Sequence, residues 1–105
     1  MTHVELWLQV ECEDGELCAV QNITVPDVVC QAGVILDFNG DERLVVTDVH
    51  FTATSRVVNS AFVRLLVVPE CSYCDDKAHR AYPRTSAYLL GALGTYTRTG
   101  TWEVL

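Results

Sequence analysis

Residues 3–11 alternate without a fault. Val4, Leu6, Leu8 and Val10 fall on one side, and Glu5, Trp7, Gln9 and Glu11 on the other. A period of two predicts a half-buried strand. Glu13-Asp14-Gly15-Glu16 is a turn signal, and residues 17–25 form a second strand closed by Pro26, so the two pair as a hairpin. Residues 26–33 read as a connector and 33–38 as a short strand. Asn39-Gly40 follows, with two residues that accept the positive φ of a type I′ turn, and 44–52 pairs back across it. Thr54-Ser55-Arg56 makes another turn. Residues 57–68 read as the longest strand, ended by Pro69.

That last strand is apolar on both faces: Ala61, Val63, Leu65 and Val67 make one stripe, and Val58, Phe62, Leu66 and Val68 the other. One stripe belongs to the core. The other needs a helix, another strand layer or a second copy of the chain to cover it. Thr85 or Ser86 caps a short helix running through Leu93, with Gly94 as its stop. The tail from 95 to 105 is rich in Thr, Tyr and Trp and reads as a final strand. The expectation is a mainly β fold: a small antiparallel β-barrel or roll of about six strands with one short C-terminal helix. A single domain spans 1–105, with a barrel core over 1–68 and a Cys/His loop, helix and final strand over 69–105.

Composition narrows the class. With 105 residues and 50% apolar side chains, the chain has one core and no signature of disorder. Fourteen acidic residues against seven basic ones give a formal charge of −7. That disfavours sequence-independent binding to nucleic acid, which needs a positive face. It suits solubility, or docking onto a basic partner. No apolar run approaches the roughly 20 residues of a membrane span. Residues 1–7 lack the basic and apolar regions of a signal peptide, so the expectation is a cytoplasmic protein. Five cysteines without a secretory signal then read as reduced thiols, not as a disulfide framework. Lys77, Arg80, Arg84 and Arg98 polarise the chain into an acidic barrel and a mildly basic tail, which together with the two-sided strands points to a homodimer.

Trp7-Leu-Gln-Val10, then Pro26 to Gly33-Val-Ile-Leu36-Asp-Phe-Asn-Gly40, then Leu44-Val-Val46 and Val49-His50-Phe51 together resemble small bacterial and phage β-barrel proteins of unassigned function. The resemblance covers the first two thirds of the chain. It implies a barrel and no catalytic residues.

The chemistry-bearing groups concentrate in Cys71-Ser-Tyr-Cys74-Asp-Asp-Lys-Ala-His79. Cys-x2-Cys-x4-His is three quarters of a zinc knuckle, which binds single-stranded nucleic acid. The fourth ligand should stand at position 84, which is Arg84. A structural zinc site wants four protein ligands, so Cys71, Cys74 and His79 need another from Cys12, Cys18, Cys30, His3, His50, Asp75 or Asp76. Without one, the segment is a polar connector. A thioredoxin-like role is disfavoured by Pro83 and the lack of a βαβ context. A cysteine hydrolase and a calcium loop at 37–48 are weaker still: position 42 is Glu where that loop needs Gly. Asp48 and His50 on one strand face read as an exposed polar face sooner than as an acid–base pair. The sequence therefore points to a non-enzymatic protein-interaction module using an acidic surface, and the resemblance implies a phage-type or mobile-element regulator or inhibitor. The alternative is a zinc-stabilised domain with a nucleic-acid or regulatory role.

Overall fold

The structure, a computed structural model, describes residues 2–53, 61–73, 80–93 and 102–105. Strands β1 (Thr2–Cys12), β2 (Gly15–Val25), β3 (Ile35–Leu36), β4 (Leu44–Ala53), β5 (Ala61–Pro69) and β6 (Glu103–Val104) form one sheet in the order β3-β4-β5-β1-β2-β6. Among the described residues, one helix, α1 (Ser86–Ala92), and two 3-10 turns, Asp27–Val29 and Glu70–Ser72, complete the elements.

The first hairpin is as the alternation predicts. β1 and β2 pair antiparallel from Thr2↔Val25 to Cys12↔Gly15, leaving Glu13 and Asp14 as the loop. Gly15 closes that loop at φ 124°, a value a side chain would resist.

Beyond the hairpin the expected architecture needs correction. The sheet is mainly β with one short helix, but it is open and mixed instead of an antiparallel barrel or roll. Its terminal strands, β3 and β6, are two-residue strands at opposite edges, and no pairing joins them. β5 lies beside β1 and parallel to it, with Val4 opposite Val63 and Leu8 opposite Val67. The connector after Pro26 carries the chain off the hairpin, so that β3, β4 and β5 enter on the far side of β1. A regular alternation of apolar residues is the same whether a neighbour runs up or down. The pattern therefore could not show the parallel pair.

The Asn39-Gly40 turn is also corrected. Only Asn39 takes positive φ, at 64°, where a type I′ turn needs both residues there. The Asp37 carboxylate accepts the Asn39 N–H at 2.8 Å, and this local turn replaces the tight hairpin. As a result β3 pairs with β4 only at Ile35↔Val45 and Leu36↔Leu44. The described part of the strand expected over 57–68 is β5, 9 residues long. The turn at 54–56, residues 57–60 and the Gly94 stop lie outside the described residues.

The core is one face of this sheet and what covers it. Val4, Leu6 and Leu8 of β1, Ala19 and Ile23 of β2, Leu44 and Val46 of β4, and Leu65 and Val67 of β5 are all essentially inaccessible to solvent. Leu36, Phe38, Tyr82, Leu89 and Leu93 close over them. Burying a leucine fully contributes roughly 1.5–3 kcal/mol, so Leu89 and Leu93 anchor α1. The helix starts where expected: Thr85 is its N-cap, and its Oγ1 accepts the Tyr88 N–H at 3.2 Å. Asp14, in the first hairpin loop, accepts from both the N–H and the hydroxyl of Ser86, each at 2.9 Å. Those two bonds lower the Asp14 pKa. They also tie the hairpin tip to the start of the helix.

Among the described residues no helix packs on the opposite face. It carries Glu5, Trp7, Gln9 and Glu11 from β1, Glu16 and Cys18 from β2, Arg64 and Leu66 from β5, and Asp48 and His50 from β4. Only its β4–β5 corner, where Val45 faces Val68, is buried.

Candidate functional site

The cysteine–histidine segment is only partly visible. Cys74 and His79, with Asp75 and Asp76, lie outside the described residues. Cys71 stands in the 3-10 turn after β5, exposed at the surface, with Ser72 Oγ 3.9 Å from its sulfur. The Glu42 carboxylate lies close enough to act on the same thiol electrostatically. Burial of the sulfur raises the Cys71 pKa, the Ser72 hydroxyl pulls it back, and Glu42 raises it further. Glu42 is shared. Tyr82 Oη donates to its Oε1 at 3.4 Å, and burial followed by Glu42 and Cys71 pushes the phenol up to about 12.

The other suggested ligands are dispersed. Cys12 is buried on the core face of β1, Cys18 lies on the opposite face of β2, and Cys30 follows the first 3-10 turn. His3 pairs across the hairpin with Thr24, and His50 faces Arg64. Among the described residues no three His, Cys, Asp or Glu side chains come together to hold a metal ion. Burial is the first cause that raises each of the thiols of Cys12, Cys18, Cys30 and Cys71, so at neutral pH they are protonated and poor nucleophiles.

The described surface offers a different site. A groove of about 590 Å³ runs over the uncovered sheet face. Its floor is Trp7 and Leu66, which sit opposite each other on β1 and β5. Among the described residues that line it, Glu11, Glu16 and Asp48 stand against one cation, Arg80, a formal −2 from three acids and one base. The Trp7 ring is fixed from one end: the Arg64 guanidinium lies 4.7 Å from its centroid, and Arg64 Nε donates to Glu5 Oε1 at 2.8 Å. Arg80 stacks on Tyr73 at 4.8 Å and is held at the rim by the chain beside it, where the Tyr82 N–H donates to the Glu11 carbonyl at 2.7 Å. The bulge in β4 between Val46 and Asp48 turns Asp48 onto this face, opposite Leu66.

One feature of the rim runs against the stability of the isolated chain. The hairpin register places Glu11 directly opposite Glu16 on the same face. Like charges in that position repel. Gln9 Nε2, donating to Glu16 Oε1 at 2.8 Å, is the neutral neighbour that softens the contact.

Alternation places Trp7, Glu11 and Glu16 on the polar side of their strands, and a two-residue hairpin loop is enough to pair the two glutamates. The sequence places Asp48 with His50 on an exposed polar face, as the structure has it, but nothing in it placed Asp48 or Arg80 beside Trp7: a bulge brings in one, and the chain returning beside β1 the other. Compared with protein-family models, with curated proteins and with solved structures, the chain gives no match in any of the three.

Proposed function

We propose that this protein is a non-enzymatic protein-interaction module, a regulator or inhibitor of the phage or mobile-element type, whose contact is the acidic groove on the open sheet face. The partner is a protein presenting a basic segment with some apolar character: aliphatic stems against Trp7 and Leu66, and a Lys or Arg head between Glu11 and Glu16. The Glu11–Glu16 pair carries this reading. Two carboxylates facing each other beside an apolar floor are unfavourable alone and favourable around a cation. The formal charge of −7 supports a basic protein partner over nucleic acid.

The test is titration of the isotope-labelled protein with a peptide alternating arginine and leucine. Shifts are expected at the Trp7 indole and along Gln9, Glu11 and Glu16, with affinity falling as salt rises. Glu16→Lys should weaken binding at least tenfold. The same substitution should stabilise the free protein by about 0.2–1 kcal/mol, because it replaces a repulsive cross-strand pair with an attractive one. Binding that ignores both salt and Glu16→Lys overturns the proposal.

A second reading is the zinc-stabilised domain, with Cys71, Cys74 and His79 as ligands. Its support is the Cys-x2-Cys-x4-His spacing, with the Glu42 carboxylate near Cys71 as an oxygen donor for the fourth position. Metal analysis of untagged protein decides it. One equivalent of zinc that is lost on Glu42→Ala supports the site; a metal-free preparation that is fully folded overturns it.

A further inference from the structure

The outer edge of β4 points to a second interface, independent of the groove. β3 covers only the start of β4. Its two paired residues, together with the bonds Val46 N–H to the Val34 carbonyl (2.9 Å) and Gly33 N–H to the Val46 carbonyl (2.7 Å), end at Val46. β4 continues to Ala53, and no described residue pairs with its outer side beyond Val46. The bulge between Val46 and Asp48 resets the alternation. Val46 aims its N–H and C=O outward, so after one inserted residue Val49 and Phe51 do the same. These are also the residues whose side chains are left bare: Val49 is 37% exposed and Phe51 75% exposed, although both face the core side opposite Leu65 and Val63.

We infer that this edge pairs antiparallel with the same edge of a second copy, giving a two-fold dimer with a continuous sheet. A two-fold axis at His50 sets Val49 of one copy opposite Phe51 of the other, twice. Each of those pairs exchanges two backbone hydrogen bonds and packs one bare apolar side chain on another. A second copy fits better than a foreign strand for two reasons. The segment is self-complementary under that axis. It is also the stretch where two acidic chains can meet: residues 47–53 hold one carboxylate and one imidazole, while the whole chain carries −7. The segment has none of the lysines or prolines that protect free strand edges.

The experiment is sedimentation velocity and light scattering on the full chain from micromolar to millimolar concentration. The expected result is a concentration-dependent dimer that strengthens with added salt, because salt screens the repulsion between like-charged copies. The groove proposal expects salt to weaken binding, so the two fail separately. Phe51→Lys should give a monomer with unchanged circular dichroism, and with the melting of the dilute, monomeric wild type at every concentration, since the side chain it replaces is in solvent. His50→Cys should form an intermolecular disulfide on mild oxidation, because the axis brings the two positions within disulfide range. A wild-type monomer at millimolar concentration overturns the inference. So does a dimer that Phe51→Lys leaves intact.

Discussion

On β5 the side chains of Val63, Leu65 and Val67 point to one face of the sheet, while Arg64, Leu66 and Val68 point to the other. Both sets are rich in aliphatic residues, and only the first is closed over by α1, Tyr82 and the 36–38 loop. The difference lies in what each face is paired with along the neighbouring strands. On the covered face, Leu65 meets Leu6 and Val49; on the open one, Arg64 meets Glu5 and His50, and Leu66 meets Trp7 and Asp48. The covered face is apolar around Leu65 apart from Gln21 on β2, and its centre excludes water. The open face intersperses apolar floor with charge, and this combination stays in contact with water and leaves room for a partner. Stability and binding are thus divided between the two sides of one strand.

The sharpest way to break that division is to truncate neighbours. Leu65→Ala removes a side chain with no solvent exposure from the middle of the core, and is expected to cost about 2–5 kcal/mol in urea unfolding. Leu66→Ala, one residue along and half-buried, is expected to cost about 1 kcal/mol. It should also weaken peptide binding, which Leu65→Ala, where it still folds, should not do by direct contact. Equal losses of stability would mean that the open face is packed as tightly as the core.

The same contrast explains how much was legible in the sequence. The alternation in residues 3–11 and 17–25 located β1, β2 and their tight turn, because one face of each strand is buried and the other wet. The helix start was legible because Thr85 is a capping residue ahead of Leu89 and Leu93. The open sheet was not, since closure depends on which strand edges meet, and side-chain period says nothing about edges. Asn39-Gly40 misled because Asp37, two residues earlier, offers Asn39 a local hydrogen bond that competes with the hairpin turn. The cysteine–histidine spacing drew attention as the place for chemistry. The described part of it, Cys71, is a protonated thiol beside Ser72, and the groove arose from residues whose types are ordinary on any polar strand face.

The smallest effect on the comparison concerns the end of the groove. Arg64 bridges Glu5 and covers Trp7, but both charged side chains are partly in solvent, 34% and 24% exposed. An ion pair at that exposure contributes only about 0.2–1 kcal/mol, less in salt. Glu5→Gln should therefore hardly move the unfolding midpoint. Its effect belongs to geometry: without the carboxylate the guanidinium is free to leave the Trp7 ring. Indole fluorescence and the Trp7 side-chain resonance should change while stability stays within about 1 kcal/mol of the parent. The decisive combination is Glu5→Gln with Arg64→Gln. If the pair acts by orienting Trp7, the double variant perturbs the indole no more than either single one. Additive changes would show instead that each residue contacts the ring environment independently, and that the groove floor is not pre-set by this ion pair.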